Sequence, residues 1–148
     1  MEQFISSLDT NYQLDSYNVK DDIVVFEVSS KQNVLSCPYC GCITSKVHSY
    51  YQREIQDLPM QNKKVVLLVK TRKMFCINEA CAKKTFSEKH SFTDIKAQKT
   101  NRLIKNIIYT STQLSSVNAS KVLKSSSINQ KKTFLRYSNG RFRNTPYY

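Results

Sequence analysis

The chain has 148 residues, 40% of them hydrophobic, with two glycines and no tryptophan, a length that accommodates one ordinary domain or two very small ones. Its longest apolar run, Val65–Val69, is far short of the ~20 residues that cross a bilayer, and Met1–Thr10 is acidic with no apolar h-region, so membrane and secreted classes are disfavoured and a cytoplasmic protein is expected. The formal net charge is +12, unevenly spread: residues 1–30 carry six acids and one lysine, residues 31–95 carry 11 bases and five acids, and after Asp94 no acid occurs while 11 lysines and arginines follow. That asymmetry points to a polyanionic partner, with a merely solvated basic tail as the alternative. A basic amphipathic helix with aromatic anchors, the mark of an anionic membrane surface, is not apparent.

In chain order, Met1–Leu8 is expected to form a short helix with Phe4, Ile5 and Leu8 on one face. Asp22–Val28 (DIVVFEV) reads as a strand, rich in β-branched residues and bounded by polar stretches. Residues 1–30 are thus a helix and a strand expected to pack on residues 31–92. Lys46–Ile55 is the next strand region, ending in Asp57-Leu58-Pro59. Lys64–Cys76 (KVVLLVKTRKMFC) is the longest strand. Its first half is apolar on both faces; its second half puts Lys70 and Arg72 on one face and Thr71, Lys73 and Phe75 on the other. In Thr100–Tyr109 the period changes, and Leu103, Ile104, Ile107 and Ile108 fall on one helical face. Ser115 or Ser116 can cap a second helix, Val117–Leu123, with Ala119, Val122 and Leu123 inward. Ile128–Tyr137 is expected as a third, basic helix with Lys131, Lys132 and Arg136. Residues 99–137 therefore read as a helix-turn-helix-like segment, and 138–148, which lack periodicity, as a disordered tail.

Five cysteines carry the chemistry: Cys37, Cys40, Cys42, Cys76 and Cys81. Cys37-x2-Cys40 and Cys76-x4-Cys81 are two close pairs separated by a strand-rich insert, the layout of a zinc ribbon. A tetrahedral Zn²⁺ takes four soft ligands, and one short turn delivers only two, so the second pair must arrive from a distant part of the chain. Pro38 fixes φ in the first turn and Gly41 can take positive φ after the second ligand. Four thiolates and Zn²⁺ leave a net negative charge, which Lys46, Arg72, Lys73, Lys83 and Lys84 are near enough in sequence to offset. Cys42 is the spare, expected as a free thiol beside the site, with a ligand swap with Cys40 as the alternative. His48 and His90 are lesser ligand candidates. Four protein ligands make a structural rather than a catalytic site. The fold class expected is α+β: a small β-rich zinc ribbon over residues 31–92, then the short helical segment. In so small a core the metal is expected to supply folding energy directly.

The residues Ile23–Lys89 resemble the N-terminal zinc-finger region of bacterial insertion-sequence transposases of the ISL-three group. The resemblance rests on IVVFEV, CPYCG, VHSYYQREIQDLP, VVLLVKTRKMFC, CINEAC and KKTFSE in that order, and continues weakly through Lys99–Ile128. It implies that Cys37, Cys40, Cys76 and Cys81 are the zinc ligands and that the partner is double-stranded DNA at the element's terminal inverted repeats. In that family a later RNase-H-like domain, whose acidic residues hold two metals, performs catalysis. Here no carboxylate follows Asp94, so a truncated, non-enzymatic fragment is expected. Lys70, Arg72, Lys73, Lys83 and Lys84 are then expected at phosphates, and Lys131, Lys132 and Arg136 on the third helix at the DNA. Competition or association with a full-length transposase, or self-association, would follow. The alternatives are a zinc-stabilised protein-interaction module and a non-functional transposase remnant. An RNA-binding ribbon has smaller support, from Tyr50 and Tyr51 beside Arg53.

Overall fold

Lys63–Phe75 is a strand that must be buried on both sides: Val65, Leu67, Val69 and Thr71 are buried at its odd positions, and Val66 and Met74 at its even ones. A strand with that pattern belongs in the middle of a sheet, and the computed structural model, which describes residues 1–114 and 116–125, places it there. The described elements are α1 (Glu2–Ser6), β1 (Tyr12–Lys20), β2 (Ile23–Ser30), β3 (Leu35–Ser36), β4 (Ile43–Thr44), β5 (Val47–Met60), β6 (Lys63–Phe75), β7 (Thr85–Ser87), α2 (Asn101–Gln113) and α3 (Ser116–Ser125). The chain is α+β and mostly sheet. The main sheet runs β1-β2-β6-β5, with β7 also paired to β6, and β3-β4 form a separate small ribbon. β2 and β6 are parallel and the other pairs are antiparallel. The connection between the parallel strands therefore contains β3, β4 and β5.

The two faces of β6 are covered by different parts of the chain. On the odd face, Val65, Leu67 and Val69 join Val24, Phe26, Val28, Ile55, Ile5, Tyr12 and Phe92. The helix α1 caps this core, and the Phe4 ring stacks on Phe26 at 5.2 Å between centroids. On the even face, Met74 is paired with Val47 and Phe86 and packs with Cys37 and Cys81. Because neighbouring side chains in a strand point to opposite faces, the two clusters lie on opposite sides of one strand.

Several elements depart from the sequence expectations. β5 does not end at Ile55. It continues to Met60 through an irregularity between Asp57 and Met60, and Pro59 falls in that irregular stretch of a strand at the sheet edge, where a missing N–H breaks no regular ladder. A two-residue turn, Gln61-Asn62, joins β5 to β6 with positive φ at both positions, the hand that suits a tight hairpin. β1 has no counterpart in the sequence reading. It is mostly exposed and pairs with β2 through backbone at the sheet edge. β3, β4 and β7, at two or three residues each, are too short to show a period. α2 runs past Tyr109 to Gln113; Leu103, Ile104 and Ile107 are buried, whereas Ile108 is exposed. The expected third helix with Lys131, Lys132 and Arg136, and the expected disordered tail, lie outside the described residues. No described helix is long and apolar enough to cross a membrane.

One polar cluster docks α2 on the sheet. Thr100 caps the helix, accepting from the Leu103 N–H at 3.3 Å, and donates its own hydroxyl to Asp57 Oδ1 at 2.6 Å. Arg102 grips the same buried carboxylate with Nε, at 2.8 Å from Oδ1, and with Nη2 on Oδ2. Its guanidinium also lies 4.7 Å over the Phe4 ring and its Nη1 donates to Ser7 Oγ at 3.2 Å. One side chain thus ties α2 to β5 and α1. Leu103 and Ile107 then pack with Leu58. A second buried cluster links β1 to β6. The His90 ring lies between Tyr12 Oη, at Nδ1, and Thr71 Oγ1, 3.0 Å from Nε2. Burial lowers the His90 pKa to about 4 and raises that of Tyr12.

Two measurements check these clusters. Arg102→Ala leaves the Asp57 carboxylate buried without its counter-ion and should cost about 3 kcal/mol in denaturant unfolding, whereas Arg102→Met with Asp57→Leu together should cost less. The His90 imidazole should remain neutral on acidification to pH 5.5 and titrate with a midpoint near 4 by NMR; a midpoint near the ordinary ~6.5 would mean the ring is not held between Tyr12 and Thr71.

Candidate metal centre

The first turn of the site forms where the chain leaves β3. The Cys37 N–H donates to the Cys42 carbonyl at 2.9 Å and the Gly41 N–H to the Cys37 carbonyl at 2.8 Å. Gly41 has φ +75 with nothing within 4 Å of the position a Cβ would take, so glycine is needed for backbone conformation, not for space. The second turn leaves β6. Asn78 shapes its longer spacing: its carbonyl accepts from the Cys81 N–H at 3.1 Å, and its side-chain Oδ1 accepts from the Ala80 N–H at 3.0 Å. The Cys76 N–H donates to the Lys84 carbonyl at 2.8 Å, closing the turn. The sequence reading passed over Asn78; an asparagine two positions after a cysteine, able to form an Asx turn, was the available signal.

The two turns bring Cys37, Cys40, Cys76 and Cys81 together, with all four sulfurs within 4.8 Å of one another. Cys40 Sγ and Cys76 Sγ are 3.5 Å apart. A tetrahedral Zn²⁺ with Zn–S near 2.3 Å separates its sulfurs by about 3.8 Å, so the four free cysteines fit the ion. Cys37 and Cys81 are buried against Met74 and Phe86, while Cys40 is exposed and Cys76 half-buried. Unmetallated, four thiols this close cannot all ionise. The Cys42 backbone N–H, aided by the neighbouring thiols, lowers Cys40 to about 7. Cys76 rises to about 12: the Asn78 backbone N–H pulls down, but burial and the Cys40 and Cys37 thiols outweigh it. Cys81 is likewise raised: the Lys83 backbone N–H pulls down, but burial and the Cys40 and Cys37 thiols prevail. A bound cation removes this conflict by stabilising every thiolate at once.

The other candidate residues stand apart from the sulfurs. Cys42 is half-buried and outside the four-sulfur group. The His48 ring packs on Phe75, 4.8 Å between centroids, with Nδ1 2.9 Å from Ser49 Oγ, and His90 is enclosed in the Tyr12–Thr71 cluster. Lys83 and Lys84 are exposed on the segment after Cys81, and Lys84 Nζ donates to the Glu79 carbonyl at 2.9 Å. Lys70 is exposed with Nζ 4.7 Å over the Tyr50 ring, and Lys73 is half-buried. Arg72, expected at phosphate, is engaged within the protein. Its Nη2 and Nε bind Glu88 at 2.7 and 3.0 Å, and its Nη1 donates to the Gln32 carbonyl at 2.6 Å. The pair is nearly closed to solvent, and the hydrogen bonds that Arg72 donates to Glu88 raise the arginine's pKa. Arg72 is thus a clamp between β6, the segment after β7 and the approach to β3.

Residues 34–81 match the protein family described as the zinc-finger of transposase IS204/IS1001/IS1096/IS1165. No curated protein matches the chain, and no solved structure does. The matched span contains all four clustered cysteines, β3 to β6 and the second turn.

With zinc bound, a thiol reagent should modify one cysteine, Cys42, and all five after a chelator is added. Cys37→Ser should lower zinc content well below one ion per chain, while Cys42→Ser should leave it at one.

Proposed function

We propose that the chain is a zinc-dependent DNA-binding module of the ISL-three transposase type, which recognises terminal inverted repeats and does not itself cut or join DNA. The observation that carries this reading is the four-sulfur site inside the segment that matches a transposase zinc-finger. In this reading zinc is structural: four thiolates fill its tetrahedron and leave no position for water or substrate. Its work is to hold the two turns and to present the lysines around them. Lys83, Lys84, Lys70 and Lys73 supply the phosphate contacts, while Arg72, already committed to Glu88, steadies the sheet behind them.

The charge distribution supports the same reading. The net +12 and the absence of acids after Asp94 give a strong sequence-independent attraction to phosphate. That sequence feature also leaves residues 95–148 without the carboxylates that two-metal DNA chemistry uses. Helices α2 and α3 contact each other, and α2 is anchored through Asp57 to β5; they are assigned as the opening pair of a helix-turn-helix. Lys131, Lys132 and Arg136, which follow in sequence, are assigned to DNA contacts.

The test is a titration of the zinc-loaded protein with a duplex carrying the repeat of a matching element and with a scrambled duplex, at two salt concentrations and with a chelator. A preference of about tenfold or more (~1.4 kcal/mol), lost with the metal, is expected. Equal and steeply salt-dependent binding to both duplexes would overturn sequence-specific recognition and favour an interaction module or a remnant.

A further inference from the structure

The zinc hairpin covers only one face of the three-stranded region formed by β5, β6 and β7. Met74, Val47 and Phe86 point into it from the even face. On the opposite face, register places Ser49 beside Lys73, Tyr51 beside Thr71, Thr85 beside Phe75 and Ser87 beside Lys73. Thr71 is covered by His90, and Arg53 by the segment whose Asp94 and Ala97 carbonyls accept from it at 3.0 and 2.8 Å. Beyond that cover the face is open among the described residues. Tyr51 and Phe75 are each 42% exposed. The exposed His48 ring lies against Phe75. Lys73 lies between the two rings, and Ser49, Thr85 and Ser87 complete the face, which carries no carboxylate.

We infer that this face binds the unpaired bases of single-stranded DNA, such as a frayed or nicked element end, with Tyr51 and the Phe75–His48 pair as stacking surfaces and Lys73 on the linking phosphate. Rings on a rigid sheet with a cation between them are what sequence-tolerant single-strand binding requires. Tyr51 and Phe75 are separated by about four residues of strand, roughly 13 Å, so they engage bases apart from each other along one strand rather than two stacked neighbours. The charge complementarity is one-sided: a basic chain presents a face with a lysine and no acid to a polyanion. The inference rests on the DNA-binding reading above and extends it to a second DNA form, on a face that shares Lys73 with the duplex contacts and excludes Lys70, Lys83 and Lys84.

The experiment compares the zinc-loaded protein on a twelve-nucleotide oligo-dT and on an abasic oligomer of the same length, which keeps the phosphates and removes the bases. Oligo-dT should bind at least about tenfold tighter. Tyr51→Ser and Phe75→Leu, each with zinc content checked, should weaken oligo-dT about fivefold or more and leave the abasic oligomer unchanged. Equal affinity for the two oligomers, or unaltered oligo-dT binding by both zinc-loaded variants, would overturn the inference, and tighter binding of the matching oligo-U would overturn its assignment to DNA. The repeat-duplex titration separates the two readings. Duplex preference without an oligo-dT advantage removes this inference alone. An oligo-dT advantage that both variants lose, without duplex preference, sustains this inference and removes the inverted-repeat reading.

Discussion

A central strand with apolar residues on both sides has to be covered twice, and that requirement organises the chain. The first 30 residues and the segment around Phe92 supply one cover, over Val65, Leu67 and Val69. For the second, around Met74, the described residues supply the short β3–β4 pair, Val47, Phe86 and the cysteines themselves. Such a patch is too small to hold two distant turns by hydrophobic contact alone. A metal joining Cys37 and Cys40 to Cys76 and Cys81 provides what the apolar area lacks. The cysteines that cluster around the candidate metal position also pack, and their two buried members, Cys37 and Cys81, are the ones that meet the sheet.

The charged pairs act at the seams between these covers. Arg72–Glu88 joins the central strand to the segment after β7 and, through Gln32, to the approach to the first turn. Asp57–Arg102 joins the far end of β5 to α2 and α1. In both pairs the carboxylate is buried and multiply hydrogen-bonded, while the Arg102 side chain keeps 30% of its surface exposed. Pairs of this kind add modest net stability, but losing one partner is costly. They fix how the elements sit relative to one another.

Much of this was legible in the sequence where a local pattern existed. Lys64–Cys76 announced itself by a continuous apolar run, and Thr100–Tyr109 by its helical spacing. The cysteine spacing pointed to the four residues whose sulfurs converge. What was hidden depends on partners distant in the chain. β1, with Asp15 and Asn18 in it, lacks strand propensity and exists because the edge of β2 offers backbone pairing. Asp57 looked like the end of a strand because its partner lies 45 residues further on. Arg72 looked like a free positive charge because nothing local announces Glu88 as its counter-ion. The openness of Tyr51 and Phe75 was equally unreadable, since alternation tells which residues share a face and not whether another segment covers it.

The parallel pairing of β2 with β6 has a consequence for how the chain reaches its native state. Parallel neighbours cannot be joined by a tight turn, and Ile23 finds Lys64 only after the intervening chain has looped back. Contacts so far apart in sequence make folding slow, because the entropy of closing the loop is spent before the contacts reward it. The β5–β6 hairpin is local and can form early. Capture of a metal ion by the two cysteine turns then tethers the segment just after β2 to the end of β6, and the remaining search is between strands already held close. A metal ion held by the four cysteines would therefore act on the kinetics of assembly as well as on the finished site: a chain that met the ion late would spend longer with the facing edges of β2 and β6 unpaired, the condition in which strands join the wrong neighbour.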